Sequence, residues 1–166
     1  LSRIDGHEAT EALCRGLDAE PYVVREAAAV ALGERGDREA VRQLVGRLTD
    51  PHAGVRRVVA EALGKLEDPE ALPGLLEAIA DADPDARKAA ERSLRVLVAI
   101  DHPDTVSELL VGLTHAAARV RLIAAECLGR LGAQEASGPL RELLSNRSEA
   151  DGVREAAATA LGRLKD

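Results

Sequence analysis

Aromatic side chains are nearly missing from this sequence, which holds a single tyrosine, Tyr22, and neither phenylalanine nor tryptophan. A core built without rings must be filled by Ala, Leu, Val and Ile, and side chains that small let helices approach one another closely. Cysteine is scarce as well. Cys14 and Cys127 lie far apart within apolar helical patterns, so they neither staple a fold nor supply a metal site, and a reducing, cytoplasmic compartment is expected. There is no run of about 18 apolar residues to cross a bilayer and no charged-then-apolar leader, so no membrane partner is expected. Positive charge is in deficit. Acidic residues outnumber basic ones by 29 to 22, and a formal net charge of −7 repels a phosphate backbone, which disfavours nucleic acid as a partner.

What the chain has in abundance is self-similarity. The stretch Val55-Arg56-Arg57-Val58-Val59-Ala60-Glu61-Ala62-Leu63-Gly64-Lys65-Leu66 recurs with edits at 24–35, 86–97, 120–131 and 153–164. Its arginine column reads Arg25, Arg56, Arg87, Arg121 and Arg154, with steps of 31, 31, 34 and 33 residues. The leucine column, Leu32, Leu63, Leu94, Leu128 and Leu161, has the same steps. Two markers sharing one period of this size are the signature of a repeat array, in which each unit needs only its neighbours to bury a core.

A first helix precedes each arginine helix. Its apolar stripe runs through Leu13, Leu44, Leu75, Leu109 and Leu140, then Leu17, Leu48, Ile79, Leu113 and Leu144, an i, i+4 spacing. Glu20-Pro21, Asp50-Pro51, Asp83-Pro84 and residues 146–152 interrupt the pattern between the two helices, so each unit is a helical hairpin. The spacing predicts helices at 7–18 and 21–35, 38–49 and 53–66, 69–80 and 84–98, 103–114 and 117–131, 135–145 and 151–164. Pro73 and Pro139 sit inside two of the first helices, which should therefore kink or begin late.

The repeats run at about 6–36, 37–67, 68–101, 102–132 and 133–166. Leu1-Ser2-Arg3-Ile4 fits the tail of a preceding second helix, there is no initiator Met, and Leu161 to Leu164 stop in the matching phase without a polar cap. An excised piece of a longer array is expected, with uncovered end faces that invite end-to-end self-association. Two irregularities break the period. Leu97 to Pro103 carries three extra residues, and Arg95 replaces the glycine found at Gly33, Gly64, Gly129 and Gly162, so the stacking angle should change there. Leu144 to Leu161 spans 17 residues where the other repeats span 15, which lengthens a polar loop from Ser145 to Gly152, and mobility is expected there.

The recurring Val-Arg-x-x-Ala-Ala-x-Ala-Leu-Gly pattern, the Asp-Pro turns and the 31-residue step resemble HEAT repeats, in particular the short HEAT-like kind of phycobilisome-lyase subunits. The resemblance covers essentially the whole chain. It implies an all-α, right-handed solenoid of about five hairpins, with first helices on the convex face and arginine helices on the concave, binding face. It implies a scaffold or adaptor that binds a protein or peptide partner, without catalysis or a cofactor. The alternative is a subunit or domain of a bilin (tetrapyrrole) lyase. HEAT-repeat di-iron hydroxylases carry His-Glu pairs at the start of the second helix. Here those positions read Arg25-Glu26, Arg56-Arg57, Arg87-Lys88, Arg121-Leu122 and Arg154-Glu155, so the ligands for such a metal centre are absent. A HEAT-like DNA glycosylase would need a basic groove lined with aromatics, and Tyr22 stands alone.

Five guanidinium groups one repeat apart suggest a ladder for phosphate or acidic peptide. However, each falls in the first turn of its helix, where the macrodipole disfavours a cation, so a nearby acceptor must compensate. Asp18, Asp50, Asp81 or Asp83 in the adjacent loops supply one, and a structural role between repeats is expected for Arg25, Arg56, Arg87, Arg121 and Arg154. His7, His52, His102 and His115 come from different repeats without metal spacing. Cys127 shares a column with Ala31, Ala62, Ser93 and Ala160, and Cys14 aligns with Val45, Leu76 and Leu110, so both are expected to pack.

The candidate partner-binding positions are two outward columns, Glu26, Arg57, Lys88, Leu122 and Glu155, and Val30, Glu61, Arg92, Glu126 and Thr159. Leu122 breaks the polar pattern. It is either a contact anchor ringed by charges or, if the inserted residues rotate its helix, a residue buried against Ile100.

Overall fold

In the computed structural model, residues 6–164 are described. The expected severed helix tail at Leu1 to Ile4 lies outside the described residues. The fold is all-α. Ten α-helices follow in order: α1 Gly6–Gly16, α2 Tyr22–Arg35, α3 Val41–Gly46, α4 Ala53–Leu66, α5 Leu72–Ala78, α6 Pro84–Val98, α7 Thr105–Gly112, α8 Ala118–Leu131, α9 Ser137–Ser145 and α10 Asp151–Arg163. The chain divides into two compact units, one ending at Ile100 and the other beginning at Asp101, and the division falls at the inserted residues.

In the first unit α1 packs on α2, α3 on α4 and α5 on α6, while α2, α4 and α6 lie side by side. In the second, α7 packs on α8, α9 on α10, and α8 on α10. The leucine columns explain this arrangement. Leu32, Leu63, Leu94 and Leu128 of the arginine helices are fully buried, as are Leu44, Leu75, Leu109 and Leu140 of the first helices. Each such leucine stabilises the stack by roughly 1.5–3 kcal/mol through burial alone.

The first helices are shorter than periodicity suggests. One turn of 3-10 helix opens three of them, at Arg38–Ala40, Pro69–Ala71 and Gln134–Ala136. Pro73 and Pro139 thereby fall in the first turn of α5 and α9, where a missing N–H costs little. The same opening precedes α3, which has no proline, so the turn belongs to the hairpin geometry and the prolines merely fit it.

The arginine helices start and stop on local chemistry. Asp83 caps α6 by accepting from the N–H groups of Asp85 and Ala86, with Pro84 at the first position. Gly36 and Gly132 close α2 and α8 in the left-handed conformation at φ 72° and 67°. Glu67 holds the corresponding place after α4 at φ 51°, a conformation that disfavours a side chain.

Second helices of adjacent repeats touch through the glycine column. A Cβ on Gly33 would lie 2.8 Å from Ala62 Cα, one on Gly64 2.8 Å from Ser93 Cβ, and one on Gly129 2.6 Å from Ala160 Cα. No side chain fits at those three positions.

Candidate partner-binding face

The arginine column builds a chain of contacts between repeats before it builds anything else. Arg25 Nη1 donates to the carbonyls of Ala19 and Glu20, both at 2.8 Å, and its other edge donates to Asp50 of the next repeat, Nε at 2.7 Å and Nη2 at 2.8 Å. Arg56 repeats the arrangement on the carbonyls of Asp50 and Pro51, at 2.8 and 3.3 Å, and on the Asp81 carboxylate, at 2.5 and 2.8 Å. Asp50 therefore offers its carboxylate to Arg25 and its carbonyl to Arg56, which ties the start of α2 to the turn before α4 and to α4 itself. Such forked, charge-assisted pairs are the strong kind. They also settle how a cation tolerates the start of a helix, since each Nη1 folds back onto free carbonyls of the preceding turn.

The second unit uses a different acid. Arg121 holds the carbonyls of His115 and Ala116 at 2.6 and 2.7 Å, and its fork meets Glu149 at 2.8 and 2.6 Å. Glu149 lies in the two-residue extension, so the loop expected to be mobile is pinned at its centre. Asp18 pairs instead with Arg47, and Asp83 is occupied as a helix cap. Arg87 holds the carbonyls of Asp81 and Ala82, at 2.7 and 2.8 Å. Arg154 reaches the Leu144 carbonyl at 3.3 Å and Asp151 at 3.4 Å.

The acids respond as this geometry requires. The Arg56 fork holds the Asp81 carboxyl below its ordinary value against the opposing effect of burial. Burial pushes the Asp50 carboxyl up, but the Arg25 fork and the His52 N–H outweigh it and leave it lowered. Glu149 is lowered chiefly by Arg121.

The ten candidate positions lie beside this column on the second helices. None of the ten candidate positions is buried. Val30, Lys88, Arg92, Glu155 and Thr159 are exposed, and Glu26, Arg57, Glu61, Leu122 and Glu126 are half-buried. Between them, Ala28 and Ala29 on α2 and Ala124 and Ala125 on α8 are buried.

Two of the half-buried residues lean onto the next repeat. Glu26 brings a carboxylate oxygen into the space that a Cβ on Gly54 would take, and Leu122 Cδ1 lies 3.3 Å from where a Cβ on Gly152 would sit. Leu122 is therefore neither a protruding anchor nor a core residue. It rests on the start of α10. The glycines at matching positions of two repeats were the signal for this contact, which a search within single helices passes over.

Sequence reasoning also missed the grouping around Tyr22. Its ring stacks on His52 with centroids 3.7 Å apart and planes 14° from parallel, and His52 Nδ1 lies 3.5 Å from Glu26. Farther along, Glu61 accepts from Arg57 at 3.0 Å and the same oxygen lies 3.7 Å from Arg92. An open pocket of about 700 Å³ is walled by Val45, Leu48, Gly74 and Ala78, and of its three acids, Asp50, Glu77 and Asp81, the two aspartates are held by arginines. Among the described residues no group of His, Cys, Asp and Glu could hold a metal ion, and no helix is long and apolar enough to cross a membrane.

Solved structures with the same stacking are readily found. An engineered protein, Northeast Structural Genomics Consortium target OR329, is 23% identical over 94% of this chain and 79% of its own, with a TM-score of 0.58. The complex of CpcE and CpcF of phycocyanin lyase from Nostoc sp. PCC7120 contains a chain 26% identical over 92% of this chain and 97% of its own, with a TM-score of 0.52. Human deoxyhypusine hydroxylase in complex with glycerol is 21% identical over 95% of this chain and 74% of its own, with a TM-score of 0.51, a likeness of fold. No curated protein matches the sequence at a significant level. The sequence profile of HEAT repeats matches residues 10–95 and 106–166, and with the forked arginines and glycine contacts recurring at the repeat period, the chain belongs to the HEAT-repeat family.

Proposed function

We propose that the protein is a non-catalytic scaffold or adaptor that binds a protein partner on the outward face of its second helices, through Glu26, Val30, Arg57, Glu61, Lys88, Arg92, Leu122, Glu126, Glu155 and Thr159. The observation that carries this reading is the division of labour among the arginine helices. Arg25, Arg56 and Arg121, which join repeats, are largely buried and forked onto carboxylates, whereas in the columns beside them Lys88, Arg92, Glu155 and Thr159 are exposed. The ion pairs of Lys88 and Arg92, at 3.9 and 3.7 Å, are open to water, contribute little and exchange readily with a partner's groups. Arrays of this kind use such extended surfaces for binding.

A photo-crosslinking residue placed in turn at Glu61, Arg92 and Thr159, and for comparison at Glu8, Glu108 and Arg141 on the first helices, tests it in extracts of the source cells. Discrete adducts from the first set alone are expected. Adducts from the second set alone would move the binding surface to the other side.

A second reading, a subunit of a bilin lyase, is favoured by the likeness to a chain of the CpcE–CpcF complex, 26% identical over 92% of this chain. Titration with a free bilin decides it, because a bound tetrapyrrole shifts its visible absorbance and an unbound one does not. End-to-end self-association is supported by Val24, which is 43% exposed while its counterparts Val55, Val120 and Val153 are buried. Concentration-dependent sedimentation that Val24→Lys abolishes is the expected result.

A further inference from the structure

We propose that the second-helix face of the first unit receives an extended, acidic segment of a partner protein, with an apolar side chain over α2 and carboxylates over α4 and α6. The proposal rests on the protein-binding reading above and assigns the chemistry of the partner.

Charge is segregated on this face. The outward positions of α4 and α6 carry Arg57, Lys65, Lys88 and Arg92 against Glu61 and Asp85, four cations to two carboxylates, in a chain whose net charge is −7. Lys88 and Arg92 are only lightly engaged. Lys88 lies 3.9 Å from Asp85 and Arg92 3.7 Å from Glu61, while Arg57 donates to both oxygens of Glu61 through Nη1 alone, at 3.0 and 3.2 Å. Two guanidinium groups on one carboxylate leave donors for a second, and the interior of the same protein shows the preferred ligand, since Arg25, Arg56 and Arg121 each take a carboxylate.

The apolar end is equally localised. Of the seven exposed large apolar side chains among the described residues, four are on α2, and Tyr22, Val23 and Val30 are 44%, 53% and 38% exposed. Val23 and Val30 are seven residues apart, two helical turns on one stripe. Tyr22 is held by the His52 stack, so it offers contact area with little ordering cost.

Spacing converts this pattern into a motif. Packed helices lie about 8–10 Å apart, so α2 to α6 spans roughly 16–20 Å. An extended chain advances about 3.3 Å per residue. The partner should carry an apolar residue with one acidic residue about three positions away and another about five or six positions away.

Fluorescence anisotropy with a labelled peptide of about twelve residues tests this, one leucine being followed by glutamates at those spacings on a Gly/Ser background. Saturable binding is expected, weakened at least tenfold by Arg57→Glu with Arg92→Glu, and also by raised salt or by serine in place of the leucine. Arg141→Glu on α9 should leave it unchanged, and circular dichroism confirms that each variant is folded. Equal or tighter binding of a peptide with lysines in place of the glutamates overturns the proposal. So does absence of binding up to about 1 mM. If crosslinks still form at Glu61 and Arg92 in either case, the acidic partner is wrong and the binding face stands. If no second-helix position crosslinks, the face itself is wrong.

Discussion

Arg56 and Asp81 lie 25 residues apart and meet through two parallel hydrogen bonds of 2.5 and 2.8 Å, with the carboxylate side chain only 6% exposed. The Asp81 carbonyl accepts from Arg87 at 2.7 Å, so one residue receives two successive members of the arginine column. The interface between repeats is in this respect a relay and not a set of independent pairs.

Arg56→Ala removes a fork and strands a buried carboxylate, which should destabilise the protein by about 2–4 kcal/mol. Arg87→Ala loses bonds to two carbonyls and no carboxylate, and should cost about 1–2 kcal/mol. Urea unfolding of the two variants checks the order. Equal losses would show that the carbonyl bonds, and not the carboxylate, carry the column.

Four carboxyls held below their ordinary values set the response to acid: Asp50, Asp81 and Glu149 on the arginine column, and Asp37, where Arg35 and Thr10 outweigh burial. A group held below its ordinary value adds stability that is complete above that value and disappears as pH falls through the folded one. The ordinary values are 3.8 for Asp50 and Asp81 and 4.5 for Glu149. Stability should therefore be flat from neutral pH to about 5 and fall below that. Asp81→Asn should be less stable at pH 7 yet lose less on going from pH 5 to pH 3, because one titrating group is gone. Urea midpoints across that range test it, and parallel curves for the two proteins would rule out Asp81 as a contributor.

Much of this was legible in the sequence because every stabilising feature of an array is written several times. The leucine columns, the turns and the boundaries of the second helices follow from the period, since burial in each repeat obeys the same geometry, whereas the first helices are shorter because turns of 3-10 helix replace their ends. The contacts that cross from one repeat to the next were harder to read. Asp50 and Asp81 sit in one column, but Glu149 is displaced by the longer loop, so its place on Arg121 has no counterpart to copy. Glu26 over Gly54 and the Tyr22–His52 stack depend on side-chain directions that a helical period does not encode. That the ten face positions are not buried was readable, because the columns between them hold mostly alanine, with valine and isoleucine. What they bind was not, since an exposed charge has the same spacing whether or not a partner covers it.

The glycine column separates packing from helix propensity. At Gly129 an added Cβ would meet Ala160 Cα at 2.6 Å, whereas at Gly162 nothing lies within 4 Å. Gly129→Ala gains up to about 1 kcal/mol of helix propensity but forces two backbones apart, and overpacking of that kind costs about 1–3 kcal/mol. A net loss is expected. Gly162→Ala has only the gain, reduced by its place in the last turn, and should be neutral or stabilising by up to about 0.5 kcal/mol. Thermal melts of both variants suffice, and a stabilised Gly129→Ala would mean that α8 and α10 are farther apart than described.

Leu122 and Glu26 occupy the same position in their repeats, and each leans over a glycine at the start of the next arginine helix, Leu122 over Gly152 and Glu26 over Gly54. A carboxylate at a helix start is favoured by the macrodipole by about 0.3–1 kcal/mol, and a cation is disfavoured by a similar amount. Leu122→Glu gives up apolar contact on α10 but gains the interaction that Glu26 already makes on α4, so the two changes offset. Leu122→Lys gives up the same contact and adds repulsion. The first variant should melt within about 3 °C of the parent and the second clearly lower, a kcal/mol being worth about 2–4 °C in a chain of this size. Partner capture, measured by the crosslink from Arg92 in the first unit and Thr159 in the second, then reads binding separately from folding. If Leu122→Glu melts as low as Leu122→Lys, the likeness to Glu26 is superficial and Leu122 serves the stack through its apolar surface alone.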